Sequence, residues 1–389
     1  MTATECVRPH GITEQFVARL AERAGQAERL RRLPAETIQE FRETGLSELL
    51  LPERFGGAQA PFPELLDPVR RMAHGCTSSA WTLGFYALHN WMLSLFDLRA
   101  QEEIFADGPV LAPAPLAPTG HGRAEAGGIR LSGRWSWATG VMDADWIVVG
   151  ALIERAAGID PALVAVPGDA VEVVDVWHTA GMRGTGSNDA VITDAFVPQH
   201  RIVRVADIYA GTAPGAAIHS APTYRWPMIP ALALTAAMPA LGAAELVVDL
   251  FAERLGGRVL AYSGATQKDQ PAAQIRLASA RVRLRALQTL IAATAAGIEK
   301  MVAGGETVSR QVRGDARLAA AHTVHESRAI IADLLESSGA SAYFIENPLQ
   351  RAKRDVDMIS GHVVFDYDVS RELAGALAIG AKVSPIAMV

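Results

Sequence analysis

The chain has 389 residues, half of them apolar and 20% charged, with a formal net charge of −6. Apolar segments recur throughout at a mean hydropathy of +0.15, which excludes disorder as the main state and allows two or three domains. An acidic balance without a basic stripe excludes counterion-driven binding to a phosphate backbone, so no nucleic-acid partner is expected.

Residues 1–108 read as an N-terminal helical domain. Thr13 caps a first helix with Phe16, Leu20 and Ala24 on one face. Pro34 opens a second helix carrying Ile38 and Phe41, which should stop at Gly45. Then TSSAWTLGFYALHNWMLSLF (77–96) is apolar nearly all round and predicts a buried helix. Residues 109–205 change grammar: β-branched or alternating runs at Gly128–Trp137, Trp146–Ile153, Ala162–Val166, Val171–Trp177 and Asp189–Val197 are cut by Gly, Pro and Asp. With no helical inserts between them, they predict a middle antiparallel β-barrel or sandwich. Residues 226–389 return to helical periods over Pro227–Arg254, Ala272–Val302, Thr307–Gly339 and Val369–Ile379, a C-terminal helical bundle domain. The fold class is therefore mainly α with a central β domain.

Met228–Ala244 carries no charge and imitates a membrane span, but Pro230 and Pro239 interrupt it and Glu245 follows, so a buried core helix and no membrane are expected. The first 20 residues lack an apolar run, so no signal peptide is expected. Cys6 and Cys76 cannot build a disulfide framework and read as reduced thiols of a cytoplasmic protein. His322-x-x-His325-Glu326 fails the zinc-protease order and spacing, so no metal site is expected there. GMRGTGSND (181–189) lacks the lysine and the glycine spacing of nucleotide loops and reads as a turn between strands.

Taken together and in order, these pieces resemble the acyl-CoA dehydrogenase superfamily. LSGRWSWATGVMDADWIVVGA (131–151) is similar to its flavin-edge strand pair, and GMRGTGSNDAVITDAFVPQHRIV (181–203) to its following strand. NPLQRAKRDVDMI (347–359) resembles its Arg-Asp segment. The resemblance implies an N-terminal helical domain, a middle β-barrel and a C-terminal four-helix bundle. Cys76–Trp81 with HNWMLSLF, GRWSWATG and RGTGSND resembles one branch more narrowly, the oxygenase components of two-component flavin-dependent monooxygenases of the 4-hydroxyphenylacetate 3-hydroxylase, steroid-phenol hydroxylase and indole hydroxylase type. That branch implies reduced flavin (FADH2 or FMNH2) from a separate NAD(P)H:flavin reductase, O2, a flavin C4a-hydroperoxide, hydroxylation of an aromatic small molecule, and a homotetramer.

One absence supports this branch over the alternative, an acyl-CoA dehydrogenase with FAD. Dehydrogenases need a carboxylate base. No Glu lies between Asp355 and Glu372, where most of them carry it, and Ala195–Ala244 contains only Asp207. Beside the vacated position stands His362, with Asp366 four residues on. A lone histidine near a turn is commonly structural. The resemblance makes it the group that polarises a phenol or indole, with Asp366 orienting the ring. Thr139 is the second catalytic candidate, by hydrogen bonding to flavin or substrate, against a strand threonine chosen for propensity. Trp137, Ala138, Thr139, Thr185, Ser187 and Arg258 are candidates to hold flavin, Arg258 reaching a neighbouring subunit's site. Trp81 and Trp137 wall an aromatic pocket or fill the core, and sequence does not separate the two. His89 reads as a core histidine.

Overall fold

The computed structural model describes residues 11–155, 158–259, 264–384, 387 and 389. Cys6 lies outside them. The N-terminal helices are α1 (Glu14–Leu30), α2 (Ala35–Arg42), α3 (Leu66–Met72), α4 (Thr77–Leu93) and α5 (Leu98–Ile104). Thr13 caps α1 by accepting from the Phe16 N–H at 3.1 Å, which satisfies one of the free donors of a helix start. Phe16, Leu20 and Ala24 are buried as the periodicity requires. α2 ends at Arg42, short of Gly45, because the last residues before the left-handed Gly45 are held in turns. In α4 every residue except Phe85 is buried, so this helix is the spine of the N-terminal half.

The middle of the chain forms β1 (Gly120–Glu125), β2 (Gly128–Ala138), β3 (Trp146–Arg155), β4 (Gly158–Pro167), β5 (Glu172–Val174), β6 (Asn188–Pro198) and β7 (Ile202–Arg204). The expected barrel takes the form of one seven-stranded sheet in the order β5-β6-β2-β1-β3-β4-β7. All neighbours are antiparallel except β1 and β3, which run parallel. The reason is a hop: the linker 139–145 carries the chain from β2 past the end of β1 to its far side. Val171–Trp177 yields only the short β5, because the backbone N–H groups of Val176 and Trp177 are turned to the Asn188 side chain rather than to a strand.

Two short helices, α6 (Val205–Ala210) and α7 (Pro214–Ile218), lead into the C-terminal helices α8 (Met228–Gly257), α9 (Pro271–Ala303), α10 (Arg310–Glu336), α11 (Pro348–Ser360) and α12 (Tyr367–Ala378). The most apolar stretch of α8 is 89% buried, so the span-like segment is a core helix. It crosses α3 closely at Gly242, where a Cβ would stand 2.1 Å from the Arg70 carbonyl oxygen. Only glycine permits that approach.

Candidate active site

The hop between β2 and β3 builds the site. A register shift between Trp135 and Ala138 breaks the in–out alternation of β2. Trp135 and Ala138 point into the sheet core, whereas Trp137 is 72% exposed with φ at +63°. A left-handed backbone costs a non-glycine residue about 1–2 kcal/mol. Here the bulge and that strained residue turn a large indole outward. Ala138, fully buried, can offer a ligand only its backbone. Just beyond, the Tyr86 hydroxyl donates to Gly140 O at 2.6 Å and Gly140 N donates to Thr185 O at 2.9 Å, tying the linker to α4 and to the 181–187 turn.

Thr139 sits where these elements meet. Trp81 Nε1 donates to Thr139 Oγ1 at 3.3 Å, Thr139 Oγ1 lies 2.9 Å from Ser187 Oγ, and Ser187 Oγ lies 2.7 Å from Thr185 Oγ1. Thr185 spends its proton on Met182 O, at 2.9 Å. Each hydroxyl has one proton. Ser187 must therefore donate to Thr185, and Thr139 to Ser187, giving a one-way chain from the indole N–H to a backbone carbonyl. Thr139 keeps one lone pair for a ligand. Asp355, buried on α11, accepts from Met182 N at 2.5 Å, and Arg354 pairs with Glu28 at 2.6 Å, so the Arg-Asp segment of the sequence holds the turn that carries the chain. Burial pushes the Asp355 carboxyl up to about 6. Sequence reasoning did not single out Asp355, Tyr86 or Asn188 as supports. Their role is a matter of contacts more than 50 residues apart in two of the three cases.

Aromatic rings continue from Trp81. Phe85 meets Trp81 edge-on at 4.8 Å and stacks on His89 at 5.3 Å, one helical turn apart each time. His89 is the core histidine expected, with Nδ1 2.5 Å from Ala112 O, and burial holds it neutral at about 4. His362 meets Trp81 at 5.8 Å and 67°. The residue is exposed, yet its ring is flanked by those of Trp81 and Phe365, and desolvation lowers its pKa to about 4. It is neutral near pH 7.

Asp366 does not orient that ring. Its carboxylate accepts from Val369 N at 3.0 Å and caps α12, while His362 Nδ1 accepts from Val364 N at 3.3 Å. The expected pairing fails because a 3-10 turn, 363–365, separates the two residues and each caps its own helix. Arg258 stands apart from the cluster in this chain, donating to Gln267 Oε1 and Ser337 O at 3.1 and 3.0 Å. His322 hydrogen-bonds Tyr367 at 2.8 Å and His325 stacks on the same ring at 4.3 Å.

Family models for the acyl-CoA dehydrogenase N-terminal and C-terminal domains match residues 12–103 and 234–367. The chain is 33% identical over 368 residues to the flavin-dependent monooxygenase oxygenase subunit HsaA of Rhodococcus jostii (strain RHA1), covering 94% of this chain and 96% of that one. It belongs to that family of flavin-dependent monooxygenase oxygenase subunits. The FADH(2)-dependent resorcinol hydroxylase oxygenase component of Rhizobium sp. (strain MTP-10005) is 29% identical over 371 residues, covering 92% of this chain and 91% of that one. The crystal structure of the HsaA monooxygenase from M. tuberculosis superposes with a TM-score of 0.91 at 32% identity, covering 97% of both chains.

In this monooxygenase subunit, Glu245 is the carboxylate nearest in sequence to a place where some dehydrogenases carry their base. It is buried and committed elsewhere. Arg70, His74 at 2.7 Å and Gln288 all hydrogen-bond it, and these partners outweigh burial to lower its pKa. None of them belongs to the Trp81–Thr139–His362 cluster. The cluster itself fits a reduced flavin: an outward indole face at Trp137 suits a flat ring, and the Thr139 lone pair suits a hydrogen-bond donor on its edge.

Proposed function

We infer that this chain is the oxygenase component of a two-component monooxygenase that hydroxylates an aromatic small molecule with reduced flavin and O2. The observation that carries the reading is the convergence of Trp81, Thr139 and His362, with no carboxylate among the described residues hydrogen-bonded to any of the three side chains. Bound reduced flavin supplies the two electrons that activate oxygen for transfer to the ring. The protein's part is positional. Trp137 and the Thr139 lone pair seat the flavin, Trp81 and Phe85 wall an aromatic substrate edge-on, and His362 hydrogen-bonds the substrate's oxygen. Such a bond stabilises the ionised substrate, whose ring is the better nucleophile toward an electrophilic oxygen. Thr185 and Ser187 act through Thr139, since their hydroxyls are already paired with each other.

FADH2 is the flavin proposed, by likeness to the resorcinol hydroxylase. A separate NAD(P)H:flavin reductase supplies it in the cytoplasm. The assembly proposed is a homotetramer in which Arg258 reaches the flavin of a neighbouring subunit. Anaerobic titration with reduced FAD and reduced FMN, then mixing with 18O2 and a panel of phenols and indoles, tests the reading. One labelled oxygen in a hydroxylated product is expected. His362→Ala should bind reduced flavin normally while product formation falls by ~10²–10⁴ in favour of hydrogen peroxide. Oxidation of an acyl thioester to an enoyl product, with no oxygen-dependent product, would overturn it.

A further inference from the structure

Arg317 lies in the N-terminal third of α10, only 2% exposed, far in sequence from most of the cluster. Its guanidinium donates to two successive backbone oxygens of the turn after His362, Nε to Val364 O at 3.4 Å and Nη2 to Val363 O at 3.3 Å. Burying a guanidinium is costly, and burial lowers its pKa, so the position is not one that packing alone favours. Both carbonyls are thereby turned toward α10. The Val364 N–H, on the opposite side of its peptide plane, points back at His362 Nδ1. Phe365 N donates to His362 O at 2.8 Å and His362 N to Ile359 O at 3.0 Å, so the backbone on both sides of the imidazole is fixed.

A nitrogen that accepts from a backbone N–H carries no proton. A neutral imidazole has one proton on one of its two nitrogens. In His362 it must therefore be on Nε2, which has no protein partner among the described residues. We propose that His362 serves the reaction as a neutral hydrogen-bond donor through Nε2–H, not as a proton acceptor, and that Arg317 is the positioning residue that enforces this tautomer through the Val363–Val364 peptide. The atom it meets is then an acceptor: the oxygen of a phenolic substrate, which the bond helps to hold as the phenolate once its proton has passed to water, the form whose ring is the better nucleophile. An indole N–H, itself a donor, finds no acceptor at this position, so the site favours phenols. This inference rests on the functional reading above in placing the substrate against His362.

Lysine presents one compact charge and cannot span two carbonyls in a fixed fork, while methionine keeps much of the volume and loses both bonds. The test labels histidine with 15N in the full chain without flavin or substrate, and assigns His362 by the signals lost in His362→Asn. Near pH 7 the parent should show a pyrrole-like Nε2 and a pyridine-like Nδ1. Arg317→Met should show both tautomers in exchange. In turnover with reduced FAD and a phenol, its product-to-peroxide ratio should fall about tenfold or more, with reduced-flavin affinity unchanged. Arg317→Lys should recover part of both, and it substitutes as the test variant if Arg317→Met does not fold. A protonated Nδ1 in the parent overturns the proposal. So does an Arg317 variant that leaves tautomer and coupling as they were. Because the nitrogen signals are read without turnover, the expected tautomer in a protein that hydroxylates no aromatic compound would sink the functional reading and leave the tautomer assignment standing.

Discussion

Trp137 combines two unfavourable features, a left-handed backbone and an indole 72% exposed, with no side-chain hydrogen bond or ring contact among the described residues to offset them. Trp137→Gly should accordingly leave thermal stability unchanged or raise it by up to ~1 kcal/mol, because glycine relieves the positive φ. Reduced-flavin affinity should fall at the same time. A variant that melts earlier while binding flavin as before would mark Trp137 as structural. His362 gives the second expectation at this scale. Its pKa in the fold, about 4, lies below the ordinary value of 6.5, so the folded protein disfavours the charged ring. Its contribution to stability is complete above pH 6.5 and is lost as pH falls from 6.5 toward 4. Product formation per reduced flavin should therefore show no step at pH 6.5 and should decline only below about pH 5, where a proton on Nδ1 breaks the bond from Val364 N and frees the ring to turn. A step near 6.5 that disappears in His362→Ala would contradict the desolvated environment.

Between elements, the question is what each carboxylate serves. Asp366 caps α12, so Asp366→Ala should cost about 1 kcal/mol of stability by denaturant titration, with Asp366→Asn near the parent. Neither should alter the product-to-peroxide ratio. If Asp366→Asn uncouples the reaction, the capping assignment is incomplete. Asp355 differs because it is buried and its pKa is raised to about 6. Asparagine there still accepts from Met182 N and removes a buried charge, so Asp355→Asn should hold or gain stability at pH 7. Asp355→Ala strands that N–H and should cost about 1–3 kcal/mol. The parent's stability should fall as pH rises from about 4 to 6, since the fold holds the proton more tightly than the unfolded chain, and Asp355→Asn should flatten that slope. These contrasts also show what the sequence disclosed. Thr13, the buried α4 and the core nature of α8 were legible because cap chemistry and apolar periodicity are local. Trp81, Thr139, Ser187 and His362 were singled out through family likeness, not through any local pattern, and the fold places them together. The pairing of His362 with Asp366 was misread because spacing of four suggests a helical turn, and a 3-10 turn intervenes. The bulge that exposes Trp137 has no local signature.

At the scale of the molecule, α9 buries one side and leaves Ile275 and Val282 largely exposed on the other, amid alanines. A second copy is the cover proposed for that face. Light scattering at micromolar concentration should give about four times the chain mass, and a monomeric mass would defeat the proposal. The one-way hydroxyl chain has a different reach. It starts on Trp81 in α4, passes Thr139 after β2 and the turn before β6, and ends on Met182, whose N–H is held by Asp355 of α11. The helical front thus starts a single wire, the sheet region carries it, and the helical rear anchors the residue on which it ends. An exchange of any one region for the equivalent region of a relative would splice that wire at two joints. A recombinant chain can then fold with every core intact and still present Thr139 with its proton facing the wrong way.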